Sequence, residues 1–127
     1  MDKVALVNFD IETGEKVIDA LDRDGREPKV ALWAKLPEYE EWRLVIASDR
    51  IAQAGSLSGY AQINNAMEKA GISTAKRPKV FLRPMDKPFI KALRRVFAKT
   101  ADTYGMRLGG QVFGDQYLED AFVYRIR

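Results

Sequence analysis

The chain has 127 residues, of which 46% are hydrophobic and 31% charged, with a formal net charge of +3 and neither cysteine nor histidine. The missing residue types exclude disulfides, zinc sites built on cysteine or histidine, thiol catalysis and any mechanism that needs imidazole as a base. Catalysis would have to use carboxylates, lysine, arginine, tyrosine or hydroxyls, with Mg²⁺ as the natural metal.

The length is typical of one domain, so we predict a single α/β domain over residues 1–127. No apolar run approaches the ~20 residues needed to cross a bilayer, and we predict no membrane partner. The first ten residues combine a short apolar block with acidic residues, which is unlike a signal peptide. We therefore predict a cytoplasmic location.

The first part of the chain predicts an amphipathic helix over about Asp10 to Asp24, with Gly25 as the left-handed residue that closes it. The stretch from Val4 to Asn8 is either its first turn or a separate edge strand. Apolar residues and one glycine recur at spacings of three and four, at Val4, Val7, Ile11, Gly14, Ile18 and Leu21. An acidic stripe runs beside them and consists of Glu12, Glu15, Asp19 and Asp22.

Two apolar runs, which begin at Val30 and Trp42, are separated by a short polar stretch and predict a β-hairpin. Val30 to Ala34 is apolar at every position, whereas a strand with one solvated face would alternate. The first strand is therefore predicted to be central in its sheet, with Leu32 and Trp33 both in the core.

Three more elements follow. Leu57 to Ala70 predicts a second amphipathic helix that ends at Gly71, and Val80 to Leu82 predicts a short strand between prolines. Asp86-Lys87-Pro88 is a good helix start and predicts a third helix to about Thr100. The apolar face of this helix, predicted to pack on the sheet, consists of Phe89, Ile90, Leu93, Val96 and Phe97.

A second hairpin is predicted from Met106 to Phe113 and from Tyr117 to Ile126, with its turn at Gly114. Gly109-Gly110 inside its first strand indicates a bulge or the close approach of another backbone. The predicted order is therefore α-ββ-α-β-α-ββ, with about five strands in a mixed or mainly antiparallel sheet and three helices packed on it.

The charges are unevenly distributed along the chain. Residues 76–107 contain ten basic and two acidic residues, whereas residues 1–75 contain nine and thirteen. Like charges at i, i+4 cost about 0.2 to 0.5 kcal/mol per pair, so a basic stripe on the third helix should be compensated or used. The candidate anion-binding or partner-binding residues are Lys87, Lys91, Arg94, Arg95 and Lys99.

Three interpretations of this stripe remain open. It is a solvated face that the acidic stripe of the first helix partly neutralises, or a site for the phosphate backbone of nucleic acid, or a site for a protein with an acidic face. No aromatic residue lies among the cations, so contact with bases is not predicted. The protein partner includes a second copy of the chain, because two hairpins have edges to protect and the two stripes have opposite charge.

Carboxylates near the second hairpin are the candidate ligands for a metal. Asp115 could be joined by Glu119 or Asp120 but not by both, because adjacent residues of a strand point to opposite faces. Glu27-Pro28-Lys29 resembles a nuclease Glu-x-Lys only as a string, since its proline fits a strand entrance. We predict no metal site and no cofactor.

Aromatic residues could line a pocket, but their spacing is more typical of a core; they are Trp33, Tyr39, Trp42, Tyr60, Tyr117 and Tyr124. Arg43 and Arg125 each follow an aromatic residue on a strand and should point to the opposite face from it. We therefore predict a small, soluble, non-enzymatic binding protein that engages a macromolecular partner through its charged helix. The alternative is a nucleic-acid-binding protein or a Mg²⁺-dependent nuclease or phosphodiesterase.

Overall fold

The computed structural model describes residues 6–51, 56–97 and 99–127, and every element below lies within them. The helices are α1 (Asn8–Arg23), α2 (Ser56–Lys69) and α3 (Pro88–Phe97), with a short 3-10 helix at Thr74–Lys76. The strands are β1 (Val30–Lys35), β2 (Arg43–Ala47), β3 (Val80–Leu82), β4 (Arg107–Leu108), β5 (Gln111–Phe113), β6 (Gln116–Leu118) and β7 (Asp120–Ile126).

Five of the strands form one mixed sheet in the order β3, β2, β1, β7, β4. β1 pairs antiparallel with β2 and β7, and β4 pairs antiparallel with β7, whereas β3 runs parallel to β2. The predicted first hairpin and the central position of its first strand are confirmed. The predicted α/β architecture, with three helices and a mixed sheet, is also confirmed.

The central strand β1 is buried on both faces, as its continuous apolar sequence predicts. Leu32 is fully buried in a core that includes Phe89 of α3 and Phe113 of β5. Trp33 is buried in a second core that includes Val17 of α1 and Ile63 of α2. The sheet therefore separates α3, on one face, from α1 and α2, on the other.

A glycine lies two residues beyond the end of each of the helices α1 and α2. Gly25 and Gly71 have φ angles of +73° and +74°, which close the two helices in the left-handed conformation that glycine accepts most readily. α1 begins at Asn8, and the two described residues before it belong to no helix or strand. Of the stretch Val4 to Asn8, for which a first helical turn and an edge strand were both open, only residues 4 and 5 lie outside the described part of the chain.

The second hairpin pairs antiparallel as predicted, but both of its strands are interrupted. β4 joins the main sheet, whereas β5 and β6 form a separate two-stranded sheet. The break falls at Gly109, where a Cβ atom would lie only 2.5 Å from the backbone oxygen of Glu119. The close backbone approach that the two glycines predict is therefore confirmed, and it is what divides the hairpin.

One predicted side-chain direction is wrong. Arg125 was expected to point away from the face of Tyr124, but both side chains reach α1: Tyr124 donates to the Ile11 oxygen at 2.6 Å, and Arg125 pairs with Asp22 at 2.9 Å. The pairing of β7 with β1 shifts register at this point, and such a bulge places two successive side chains on one face.

Within residues 6–51, 56–97 and 99–127, no helix combines the length and the hydrophobicity that spanning a membrane requires.

Candidate interaction surface

Helix α3 begins at Pro88, within the predicted start Asp86-Lys87-Pro88, and ends at Phe97, short of the predicted Thr100. It buries Phe89, Ile90 and Leu93 against the sheet. Val96 was predicted to belong to this face but is 57% exposed, because it lies at the margin of the apolar stripe where the core no longer reaches it. The outer face of α3 therefore combines basic residues with one exposed apolar side chain.

Two of the five predicted cations are used inside the molecule. Lys87 forms an ion pair with Asp115 at 3.0 Å, and the hydrogen bond from Lys87 lowers the pKa of the Asp115 carboxyl. Arg94 is half-buried, and its Nε donates to the backbone oxygen of Arg127 at 2.5 Å. These two contacts tie the ends of α3 to the β5–β6 turn and to the end of β7. Lys87 and Arg94 therefore stabilise the fold and are less available to an external partner.

The other three, Lys91, Arg95 and Lys99, are exposed. Within the described residues they form no ion pair or side-chain hydrogen bond. Their spacing of four residues places Lys91 and Arg95 one turn apart on the solvent side of α3, and Lys99 follows just beyond its end. We call these three residues the α3 stripe.

The acidic stripe of α1 does not neutralise the α3 stripe. α1 packs on one face of the sheet and α3 on the other. Packed layers lie roughly 10 Å apart, so the two helix axes are separated by roughly twice that distance and their side chains cannot form salt bridges. Two of the four carboxylates of the α1 stripe have other partners: Asp22 pairs with Arg125, and Glu15 accepts a hydrogen bond from the Tyr104 hydroxyl.

The carboxylates considered as metal ligands each pair with a different cation. Besides Asp115 with Lys87, Glu119 lies 3.4 Å from Lys35, and Asp120 lies 2.8 Å from Arg107. Among the described residues, no group of three or more acidic side chains is arranged to hold a metal ion. Glu27 is also occupied, since it pairs with Arg127 at 2.7 Å.

Three of the six aromatic residues considered as pocket lining are buried in the core, and Tyr117 is exposed. Trp33 and Trp42 are buried on the α1 side. Tyr124 is buried beside them; its hydroxyl accepts a hydrogen bond from the Trp33 indole at 2.9 Å, and burial raises the pKa of this hydroxyl. Tyr60 makes a structural contact, because its hydroxyl accepts a hydrogen bond from the backbone N–H of Leu82 at 2.9 Å.

A small cluster at the β3 edge was missed in the sequence. The Arg43 guanidinium lies 4.5 Å from the centre of the Tyr39 ring, and the Arg83 guanidinium lies 3.8 Å from that of Phe81. The two rings meet edge to face at 5.0 Å. Arg43 does point away from Trp42, as predicted. The cluster covers the edge of the sheet with cation–π contacts, and nothing in the spacing of these residues announces it.

A groove beside Phe9 was missed as well. Phe9 lies outside the apolar register of α1 and is 55% exposed, and an apolar residue outside the register is the only sequence signal for it. Its basic neighbours, Lys16 and Lys76, are sixty positions apart and meet only in the fold.

No known protein family matches the chain, and no characterised protein or solved structure shows significant similarity to it. The functional interpretation therefore depends on the residues and their geometry.

Proposed function

We propose that the protein is a binding module whose α3 stripe engages the acidic surface of another macromolecule, in the first place a protein. The observation that carries the proposal is that Lys91, Arg95 and Lys99 follow one another along α3, exposed and without an ion-pair partner among the described residues. The mutual repulsion of these cations costs a few tenths of a kcal/mol per neighbouring pair, and an anionic partner would relieve it. The acidic helix that was expected to do so lies on the opposite face of the sheet.

The exposed Val96 favours a protein partner over nucleic acid. Its side chain directly follows Arg95 in α3 and adds an apolar contact to the charged surface. Mixed surfaces of this kind are typical of protein interfaces, whereas phosphate contacts are made mainly by charged and polar groups. Complementary charge would mainly raise the association rate and select the partner.

Nucleic acid remains the alternative partner, and the number of available cations limits how many phosphates it could engage. Within the described part of the chain only three of the five predicted cations have no partner, so the stripe would neutralise about three phosphates. Binding to duplex DNA would then weaken with salt by a log–log slope of about 2.7 at most. Such binding would not discriminate between sequences. A Mg²⁺-dependent activity has weaker support, because its candidate carboxylates are paired with cations.

Charge reversal tests the proposal. The intact protein is titrated into fluorescent polyglutamate peptide and, separately, into a short DNA duplex at low and at physiological ionic strength. We expect salt-sensitive binding to the peptide, and its loss in the double variant Lys91→Glu/Arg95→Glu. The matched control is Arg23→Glu/Arg50→Glu, which changes net charge equally at two exposed cations outside the stripe and should keep the binding.

The outcomes separate the readings. Equal losses in the two double variants would mean that net charge, not the stripe, drives the association. Binding to the duplex alone, with a slope near 2.7, would replace the protein partner by nucleic acid. No salt-sensitive binding to either probe at low ionic strength would sink the proposal and leave the stripe as a solvated face.

Self-association and a cytoplasmic location belong to the same proposal. The β4 edge of the sheet and the opposite charges of α1 and α3 support the first. Sedimentation at micromolar concentration tests self-association, and a monomer alone would remove it. Cell fractionation tests the location.

A further inference from the structure

A groove runs between the first half of α1 and the segment 70–78, which follows α2. Its main part has a volume of about 330 Å³ and is lined by Phe9, Thr13 and Lys16 on one side and by Ile72, Ser73 and Lys76 on the other. A smaller part of about 150 Å³ shares Phe9, Thr13 and Lys76 and extends to Trp33 and Pro78. The shared residues make the two parts one continuous surface.

The α1 wall is built by helical spacing. Phe9, Thr13 and Lys16 are four and three residues apart, so their side chains share one face of the helix. The Thr13 hydroxyl donates to the Phe9 oxygen at 2.8 Å and is thereby satisfied within the wall. The Phe9 ring is 55% exposed and borders the groove without entering the core.

The opposite wall is held in place by its own hydrogen bonds. The Ile72 N–H bonds to the Met67 oxygen at 3.0 Å and fixes the chain where it leaves α2. Arg77 then clamps the segment, because its Nε and Nη2 atoms donate to the Ile72 oxygen at 3.2 and 3.0 Å. Nη2 also pairs with Glu68 at 3.0 Å. The groove is thus preformed by contacts that leave Lys16 and Lys76 uninvolved.

The charge of the groove is positive. Lys16 and Lys76 are exposed and make no ion pair or side-chain hydrogen bond among the described residues. The charge of Arg77 is balanced by Glu68. Asp10 is the carboxylate that lines the smaller part, and it accepts the Val7 N–H at 3.1 Å. Two uncompensated lysines beside an exposed aromatic ring favour a ligand that is both planar and anionic.

We infer that this groove binds a nucleoside monophosphate, with its base against the Phe9 ring and its phosphate between Lys16 and Lys76. A volume of about 330 Å³ is at the small end of ligand pockets and suits a ligand of this size. Any base offers a π-face for stacking on an aromatic side chain, and lysine binds phosphate as a point charge. The inference does not depend on the proposed function of α3, which lies across the sheet.

Titration of the intact ¹⁵N-labelled protein by NMR tests the inference with four probes: adenosine monophosphate, adenosine, ribose 5-phosphate and inorganic phosphate. We expect adenosine monophosphate to bind with a Kd of about 1 mM or tighter, and each fragment to bind at least about tenfold more weakly. Shifts should concentrate at residues 9–16 and 70–78.

Two variants then assign the contacts. Lys16→Gln/Lys76→Gln should weaken adenosine monophosphate at least about tenfold, and Phe9→Ala at least about fivefold, because stacking and phosphate contact are lost separately. Both changes concern exposed side chains, so the unfolding midpoint should not move. The matched control, Arg23→Gln/Arg50→Gln, removes the same charge at two exposed cations that line neither part of the groove, and it should leave the affinity unchanged.

Three results would each overturn the inference: no binding of adenosine monophosphate, equal affinity for inorganic phosphate, or an equal loss in the control. The first two would show that the groove is not a site for a nucleoside monophosphate. The third would show that the contact is nonspecific attraction to a basic protein. None of these results bears on the acidic-peptide binding of α3, so failure here and failure there are distinguishable.

Discussion

Replacing Gly14 by alanine sets two opposite effects against each other in the middle of α1. Alanine is the better helix former by about 1 kcal/mol, so the change would stabilise an isolated helix. In the folded protein, however, a Cβ at this position would lie 2.3 Å from the Tyr124 hydroxyl and 2.9 Å from the Trp33 indole nitrogen. Such distances are too short, so a side chain or α1 itself must move.

The expected balance is clearly destabilising. Overpacking costs about 1 to 3 kcal/mol. Displacing the Tyr124 hydroxyl also breaks its bonds to Ile11 and Trp33, at 2.6 and 2.9 Å, which costs about another 1 to 3 kcal/mol for buried groups. Subtracting the gain in helix propensity leaves a loss of about 3 kcal/mol, within a range of about 1 to 5. Trp33 keeps its second acceptor, the Asp10 oxygen at 3.1 Å, which limits the damage.

Urea unfolding followed by tryptophan fluorescence measures this loss. The exposed change Glu12→Ala in the same helix is the control and should stay within about 0.5 kcal/mol. Adding Tyr124→Phe removes the atom nearest to the new methyl group, so the double variant should lose at least about 1 kcal/mol less than the sum of the single changes. A neutral or stabilising Gly14→Ala, or an additive cycle, would refute the close packing of Tyr124 on α1.

Three further changes test other parts of the fold. Leu32→Ala should cost about 2 to 5 kcal/mol, because the side chain is fully buried in the α3-side core, and a loss below about half a kilocalorie in urea unfolding would show that β1 is peripheral. Gly114→Ala should cost about 1 to 3 kcal/mol in the same assay, because φ is +62° and a Cβ would lie 2.4 Å from the Pro88 carbonyl; an unchanged midpoint would contradict the contact between the β5–β6 turn and α3. Burial raises the Tyr124 pKa, so the contribution of this hydroxyl to the free energy of unfolding is complete below the unfolded pKa of about 10 and is lost as pH rises above it. The free energy of unfolding should therefore fall more steeply at alkaline pH in the unmodified protein than in Tyr124→Phe. Parallel curves for the two proteins would contradict the burial of this hydroxyl.

The parts of the fold that the sequence predicted are those set by local pattern. Val30 to Ala34 shows no polar position, and burial of β1 on both faces follows from that alone. Gly14 lies in the apolar register of α1, which placed it on the buried face but did not predict the close contact there. The partner, Tyr124, is 110 positions away, so no local pattern could name it. Glycines that end helices were equally legible, because their role is decided within one turn.

The candidate site was only partly predictable, because tertiary contacts decide which of its five cations are paired within the molecule. All five cations of the third helix look alike as a pattern of spacing. Arg94 differs from the others because it donates a hydrogen bond to the backbone oxygen of Arg127. Lys87 differs because it pairs with the carboxylate of Asp115. Both partners come from the end of the chain, which folds back beside α3. Which cations remain unpaired is therefore decided by strand order and not by helical periodicity.

The position of the sheet also changes what self-association would have to look like. In the sequence, the acidic stripe of α1 and the α3 stripe were natural partners within one molecule. With β1 between them, any contact between the two stripes joins different molecules. Such a contact places one surface of a first copy on a different surface of a second, and it leaves a free stripe at each end. It builds rings or open chains and not a closed two-fold dimer. A discrete homodimer would therefore have to use another surface, such as the β4 edge, and would leave the α3 stripe free to bind a different partner.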